Sequence, residues 1–315
     1  MLEKLNLIAD VFEIGKVKSF KKEESSQNNV YKVETNQGKY IIKEYSKDAI
    51  KNYYQLNHRK RQILVSEIFN RYGIKCILPI KEKDKYFVYV FQRYYLVYPY
   101  VAKETIEVKN FSKEHIVALA KTQCKMHSLR VVANIPFVYK RINIDFDKVL
   151  KKVKKDPEFK SFLEKNLTSL GDLIKNCNEN ISQVKSNFCI SHNDYKPLNI
   201  LWDGIEPLLL DFDAVGLVNP TCAMCESAFT FSKVRNRIKY VNFKLYLESY
   251  LEEYGPIQED FKSALYVSMN GKLQWLSYIL GKKRYEESQN MISELVLFYN
   301  NIEKFYKMYK DIRTR

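Results

Sequence analysis

The chain has 315 residues, 46% of them apolar and 14% aromatic, and carries a formal net charge of +15. That length allows two domains of ordinary size, and the apolar share excludes a disordered chain. No run of 18 apolar residues occurs, so no membrane span is expected, and the start "MLEKLNLIADVFEIG" lacks the apolar segment and cleavage site of a secretory signal.

Six scattered cysteines form no disulfide framework, so the expected setting is cytoplasmic with reduced thiols. Cys222 and Cys225 make a lone C-x-x-C. A redox or zinc role wants a second pair or a thioredoxin-like context, so they read as small residues on one buried helix face. The lysines are spread along the chain and no nucleic-acid module signature is found. A solvated lysine-rich surface is therefore favoured over a nucleic-acid partner.

In chain order, residues 11–45 read as strands: "VFEIGKVKSF", "NVYKVET" and, after the turn signal at 36–38, "KYIIKEY". Residues 55–72 suit a helix ending at Gly73. "CILPI" and "YFVYVFQRYYLVYPY" return to strand character until Pro99, which lacks a donor. Residues 1–98 thus form a small β-rich lobe carrying one helix. At Ser112, a suitable N-cap, the period changes: Ile116, Leu119, Ala120, Cys124 and His127 recur at helical spacing. Residues 145–186 read as helix broken at Asp156 and Pro157, and residues 236–315 as helices interrupted at 254–256 and at Gly271. The expected fold class is α+β, with residues 99–315 as the larger, mainly helical lobe.

Chemistry concentrates in "CISHNDYKPLNILWDGIEPLLLDFDAVG", residues 189–216. Asp203-Gly204 is a hairpin signal. With those two at the centre of the turn, Trp202 faces Ile205 and Asn199 faces Leu208. Asp194, Asn199, Asp211 and Asp213 then gather at one end. Crowded carboxylates need a proton, a cation or a metal. Carboxylate and amide oxygens without sulfur suit Mg²⁺, which completes its shell with phosphate and water.

The spacing His192-x-Asp194-x-Lys196-x-x-Asn199, then Asp211-Phe212-Asp213 and "GLVNP" at 216–220, resembles the catalytic core of the protein-kinase-like fold. It is most similar to the aminoglycoside phosphotransferase and choline kinase family. The resemblance implies a bilobal enzyme that moves the γ-phosphate of ATP (or GTP) to a hydroxyl of a small molecule, an aminoglycoside or aminoalcohol among the candidates. It implies Asp194 as catalytic base, with Asn199 and Asp211 holding Mg²⁺ on the nucleotide phosphates. Asp213 is a second metal ligand or a partner for loop amides. Lys196 contacts phosphate or is a solvated loop lysine.

By the same resemblance Lys43 pairs with the α/β-phosphates, although strand alternation also permits it to face solvent. "SSQNNVY" takes the place of the phosphate-covering loop, with Ser25, Ser26 and Asn29 as nucleotide contacts. The backbone of Pro99, Tyr100 and Val101 reads the adenine. His192 and His127 are expected to hold structure.

Two departures from the family stand out. Glu67 lies further beyond Lys43 than the family's glutamate, and Gln62 sits nearer the expected place, so the partner of Lys43 is open. Ala223 stands near the place of an acidic residue after "NP". The absence of a Gly-rich loop and of A-P-E counts against a protein kinase. The expected partners are a nucleotide and a small-molecule alcohol, with no nucleic acid and no membrane, and the chain as monomer or weak dimer. The acidic run at 247–260 attracts a cationic acceptor or is a solvated helix face. The alternative is a non-catalytic, spore-coat-like member of the fold with a structural or binding role, motivated by the weakened lysine–glutamate pairing.

Overall fold

The computed structural model describes residues 1–23, 28–131, 133–153 and 156–314. The chain opens with a helix where strand was expected. Leu5, Ile8, Ala9 and Phe12 recur at helical spacing and are all buried, and α1 (Leu2–Val11) lays them on the back of the first sheet. The first strand therefore starts at Val17, not Val11. Strands β1 (Val17–Glu23), β2 (Asn29–Thr35) and β3 (Lys39–Glu44) precede helix α2 (Tyr53–Arg71). Asn52 caps α2, its side chain accepting from the Gln55 N–H, and Gly73 ends it at φ +77.

Residues 86–100 are a hairpin rather than one strand. Phe91 and Gln92, at φ +48 and +57, turn the chain between β4 (Val88–Val90) and β5 (Arg93–Pro99). The described strands form an antiparallel sheet in the order β1-β2-β3-β5-β4. "CILPI" makes only a parallel bridge, Cys76 to Leu209: the Ile77 N–H donates across to the Leu209 carbonyl at 3.0 Å, while the Ile80 N–H donates to the Val97 carbonyl of β5 at 2.7 Å.

The second lobe is mainly helical. Ser112 caps α3 (Lys113–Ser128), followed by α4 (Phe146–Lys152) and α5 (Pro157–Asn180), separated at Asp156 and Pro157 as expected. Two short antiparallel pairs come next: β6 (Cys189–Ser191) with the later β9, and β7 (Ile200–Asp203) with β8 (Glu206–Leu209). Strand β9 (Gly216–Val218) leads into α6 (Pro220–Thr230), α7 (Tyr240–Tyr254), α8 (Phe261–Ser268), α9 (Asn270–Gly281), α10 (Tyr285–Tyr299) and α11 (Ile302–Arg313). Gly255 at φ +84 ends α7, but Gly271 lies inside α9; the break falls at Met269. Cys222 and Cys225 are fully buried free thiols on α6.

The β7–β8 turn sits one residue later than expected, which moves each cross-strand partner by two. Trp202 faces Pro207 and Leu201 faces Leu208, so Gly204 and Ile205 centre the turn. Gly204 takes the first central position at φ +62, the place a primed turn reserves for glycine. The shift sets Asn199 beside Leu210, whose N–H donates to the Asn199 carbonyl at 2.9 Å. Among the described residues, no helix is long and apolar enough to cross a membrane.

Asn219 locks the lower end of this assembly. It is fully buried, caps α6 by accepting from the Cys222 N–H at 3.0 Å, and its amide lies 3.0 Å from the Asn187 carbonyl and 2.8 Å from Glu259 Oε1. Asn219→Ala removes a cap and strands buried acceptors, so a loss of about 3 kcal/mol is expected in urea unfolding. A variant within about 0.5 kcal/mol of wild type, the range of an ordinary surface change, would contradict this role.

Candidate active site

Strand β3 carries Lys43 and Glu44 on opposite faces, as strand alternation requires. Glu44 points to the α1 side, where Lys4 pairs with it at 2.9 Å. Lys43 points the other way, into the space between the lobes, and is buried. Its ammonium lies 2.8 Å from Asp211 Oδ1 and 2.8 Å from Asp213 Oδ2. Burial opposes the charge on Lys43, but Asp213 and Asp211 outweigh it and hold the ammonium well above its ordinary range. Burial likewise works against ionisation of Asp211, yet the Lys43 charge and hydrogen bond bring its carboxyl below the usual value.

The loop between β6 and β7 supplies the other half. His192 is fully buried, and its Nε2 donates to the Leu210 carbonyl at 2.7 Å while Nδ1 accepts from the Asp194 N–H at 3.3 Å. This pair of contacts specifies a neutral ring, and burial lowers its pKa in the same direction. His192 thus ties the Asp194 loop to the end of β8. Asn193, at φ +57, adds a bond to the Ala214 carbonyl at 3.1 Å. His127 is likewise held neutral, pushed down to about 3 by burial, with Tyr250 at 2.6 Å and Ser191 at 3.0 Å.

Asp194 is anchored from two sides. The Asn199 Nδ2 donates to its Oδ2 at 2.7 Å and to its carbonyl at 2.8 Å, and Lys196 Nζ stands 2.9 Å from the same Oδ2. The Asn199 amide nitrogen is therefore engaged, while its oxygen takes no hydrogen bond among the described residues. Among the described residues Asp211 takes only Lys43 as partner, and its side chain is 44% exposed. An amide oxygen and an accessible carboxylate, brought together by the Asn199–Leu210 pairing, are a hard oxygen set that fits Mg²⁺. Among the described residues no group of three or more acidic, histidine or cysteine side chains could hold a metal by itself. The oxygens needed to complete a shell must come from phosphate and water.

The N-terminal contacts divide. Ser25 and Ser26 lie outside the described residues. Asn29 faces Glu44 across the ladder, and its amide reaches Glu44 Oε2 at 3.4 Å, on the face away from Lys43. Alternation puts the neighbouring Asn28 on the site instead, 3.4 Å from Asp213 Oδ2. In the connector, Pro99 has no N–H and the Tyr100 N–H donates to the Lys39 carbonyl at 3.0 Å. Among the described residues, the Val101 N–H takes no backbone acceptor. Neither candidate partner meets Lys43: Glu67 pairs with Lys81 at 2.9 Å and with Tyr86, while Gln62 donates to the Asp213 carbonyl at 2.6 Å.

Sequence reasoning missed an ionic wall beside Asp194. One turn beyond Ala223, α6 carries Glu226, the one charged side chain of that helix. Lys272 lies 3.9 Å from Glu226 and 2.9 Å from Glu294, which also pairs with Lys233. Burial pushes the Glu226 carboxyl up to about 7; Lys272 pulls against it, and Asp194 and Glu294 add to it. Glu294 is at about 2 despite burial, because Lys272 and Lys233 both favour its charge. The signal was the lone acid in "PTCAMCESAFT". The acidic run at 247–260 has other duties: Glu253 pairs with Lys121 at 2.8 Å, and Glu259 accepts from Asn187 and Thr221 as well as Asn219.

A β-sheet lobe presenting a buried lysine to a helical lobe's Asp–Asn loop and Asp-Phe-Asp stretch defines the class: a phosphotransferase with the protein-kinase-like fold. Residues 20–222 match the family model described as the phosphotransferase enzyme family, and the chain belongs to that family. Solved structures agree on the fold. A spectinomycin phosphotransferase in complex with ADP and spectinomycin has 14% identity and a TM-score of 0.74, covering 96% of this chain and 99% of its own. A microcompartment-associated aminopropanol kinase has 12% identity and a TM-score of 0.66, covering 96% and 98%. Choline kinase from Cryptosporidium parvum has 13% identity and a TM-score of 0.54, covering 99% and 96%. A search of curated protein sequences found no match.

The raised Glu226 carboxyl has a pH signature. A carboxyl whose folded pKa of about 7 exceeds its ordinary 4.5 binds a proton in the folded state over that window, so its contribution to stability falls as pH rises through it. Measured against wild type, Glu226→Gln should gain relative stability between these two pH values and show a flat difference above. Melting curves across the range test this; a pH-independent difference would mean that Glu226 ionises normally.

Proposed function

We propose that the chain is a Mg²⁺-dependent kinase that transfers the γ-phosphate of ATP or GTP to a hydroxyl of a small molecule. The observation that carries this reading is the convergence of Lys43, Asp194, Asn199 and Asp211 between the lobes. Asn199 and Asp211 would hold the metal, which when bound neutralises phosphate charge. Lys43 stays charged within reach of the same phosphates. Asp194, fixed by Asn199 and Lys196, aims the acceptor hydroxyl and takes its proton. A loose phosphoryl-transfer transition state asks chiefly for such positioning and charge placement, which this loop supplies.

The acceptor class follows from the wall. Asp194, Glu226 and Glu294 are matched one for one by Lys196, Lys272 and Lys233. A nearly neutral wall suits an alcohol or an amino alcohol of low charge better than a polycationic aminoglycoside. A spectinomycin phosphotransferase and an aminopropanol kinase among the structural neighbours support a small acceptor without choosing one.

Asp194→Asn should lower phosphate transfer by about 10²–10⁴-fold, the usual weight of a general base, while keeping the rise in melting temperature on adding ATP and Mg²⁺. Undiminished transfer would remove Asp194 from the role of base. If neither ATP nor GTP with Mg²⁺ raised the melting temperature of the wild type, the non-catalytic alternative would stand instead.

A further inference from the structure

Among the described residues, the two carboxylates of Asp211-Phe212-Asp213 have unequal partners. Asp211 takes one donor, Lys43. Asp213 takes three on its carboxylate: Lys43 at 2.8 Å, the Tyr45 hydroxyl at 2.7 Å and the Asn28 amide at 3.4 Å. Its backbone carbonyl takes two more, from Arg59 Nη1 and Gln62 Nε2, each at 2.6 Å. Arg59 also donates to Gln62 Oε1 at 3.0 Å, and Gln62 reaches on to the Val215 carbonyl at 3.2 Å.

One residue of the helical lobe is thus gripped by donors from β3's end, the start of β2 and helix α2. Helix α2 rests directly on the Asp211–Asp213 stretch through these bonds, with only a small cavity beside Ile63 and Ser66. Tyr45 and Gln62 are almost wholly buried. A metal on Asp213 would have to share a carboxylate that already takes three donors, whereas Asp211 takes one; if it displaced the buried Tyr45 phenol, that hydroxyl would lose its acceptor, which is unfavourable in a low-dielectric site.

Resting on the reading above as a metal–nucleotide site, we propose that Asp213 is not a metal ligand but the pin of an interlobe latch, gripped by Tyr45, Arg59 and Gln62. The latch takes over the task of the missing helix carboxylate on Lys43. Instead of a glutamate of α2 drawing the lysine into place, α2 holds the loop by its backbone, and Asp213 draws the lysine. Asp211 is thereby turned, at φ +55, with its carboxylate open to the cleft. Tyr45, Arg59 and Gln62 are positioning residues: they act on the metal site only through Asp213.

The test compares ADP binding with Mg²⁺ and ADP binding in EDTA for the full chain, read by thermal shift and calorimetry. Tyr45→Phe and Gln62→Leu should each weaken Mg²⁺–ADP about tenfold, the order expected for losing one buried bond to a charged or pinned group, and change metal-free ADP less than about twofold. Were Asp213 a metal ligand, Tyr45→Phe would free its oxygen, so unchanged or tighter Mg²⁺–ADP binding overturns the latch. Equal losses with and without metal would reduce these residues to fold support and also overturn it. Should both buried variants fail to fold, Arg59→Gln, at the half-buried edge of α2, gives the same comparison. A wild type that binds no Mg²⁺–ADP overturns the kinase reading itself; normal wild-type binding with indifferent variants overturns the latch alone.

Discussion

A single buried ammonium sits between two carboxylates where the lobes meet, and neither side of that contact is tolerable alone. Lys43 without Asp211 and Asp213 would be a bare charge removed from water; the two aspartates without Lys43 would repel each other. Because Lys43 belongs to β3 and the aspartates follow β8, charge balance sets how the lobes face each other. The bonds of Arg59 and Gln62 to the Asp213 carbonyl and the Cys76–Leu209 bridge support the same juncture through backbone groups.

Two kinds of residue surround that juncture. Some are positioned by obligatory backbone bonding: Asn199 beside Leu210, His192 on the Leu210 carbonyl, Asn193 on the Ala214 carbonyl. These fix the relative heights of the Asp194 loop and the Asp211 stretch to within one hydrogen bond. Others, such as Glu226, Lys233, Lys272 and Glu294, are paired by mutual charge between elements that lie mostly far apart in sequence. In the proposed reaction the first group would serve the phosphate chemistry and the second would face the acceptor, which is why the reaction class is easier to read than the substrate.

Much of the fold was legible in the chain because its signals are local. Ser112 as cap, the Asp156 and Pro157 break, Gly73 and Gly255 as helix ends and the Asp203-Gly204 hairpin all depend on residues a few positions apart. The constellation of Asp194, Asn199 and Asp211 was legible too, since one hairpin brings it together. What escaped depended on partners remote in sequence. Helix α1 has helical spacing, but its apolar face is meaningful only with a sheet to cover. The hairpin register turned on whether Gly204 stood first or second in the turn. Asn29 and Asn28 are adjacent, and only the β2–β3 ladder decides which faces the site. The duties of Gln62 and Glu67 could not be assigned, because Asp213, Lys81 and Tyr86 are separated from them by stretches no local rule spans.

Strand β3 is a two-sided beam. One edge of its last turn bears Lys43 against the aspartates; the very next residue, Glu44, is moored from behind by Lys4 of α1. The opening ten residues therefore do more than shield apolar surface: they brace, from outside, the strand whose inner side carries the reactive centre. Trimming the chain back to its first strand would bare the groove in which Leu5 and Ile8 dock and take Lys4 from Glu44, so a change in the N-terminal helix reaches Lys43 through the strand without approaching the cleft.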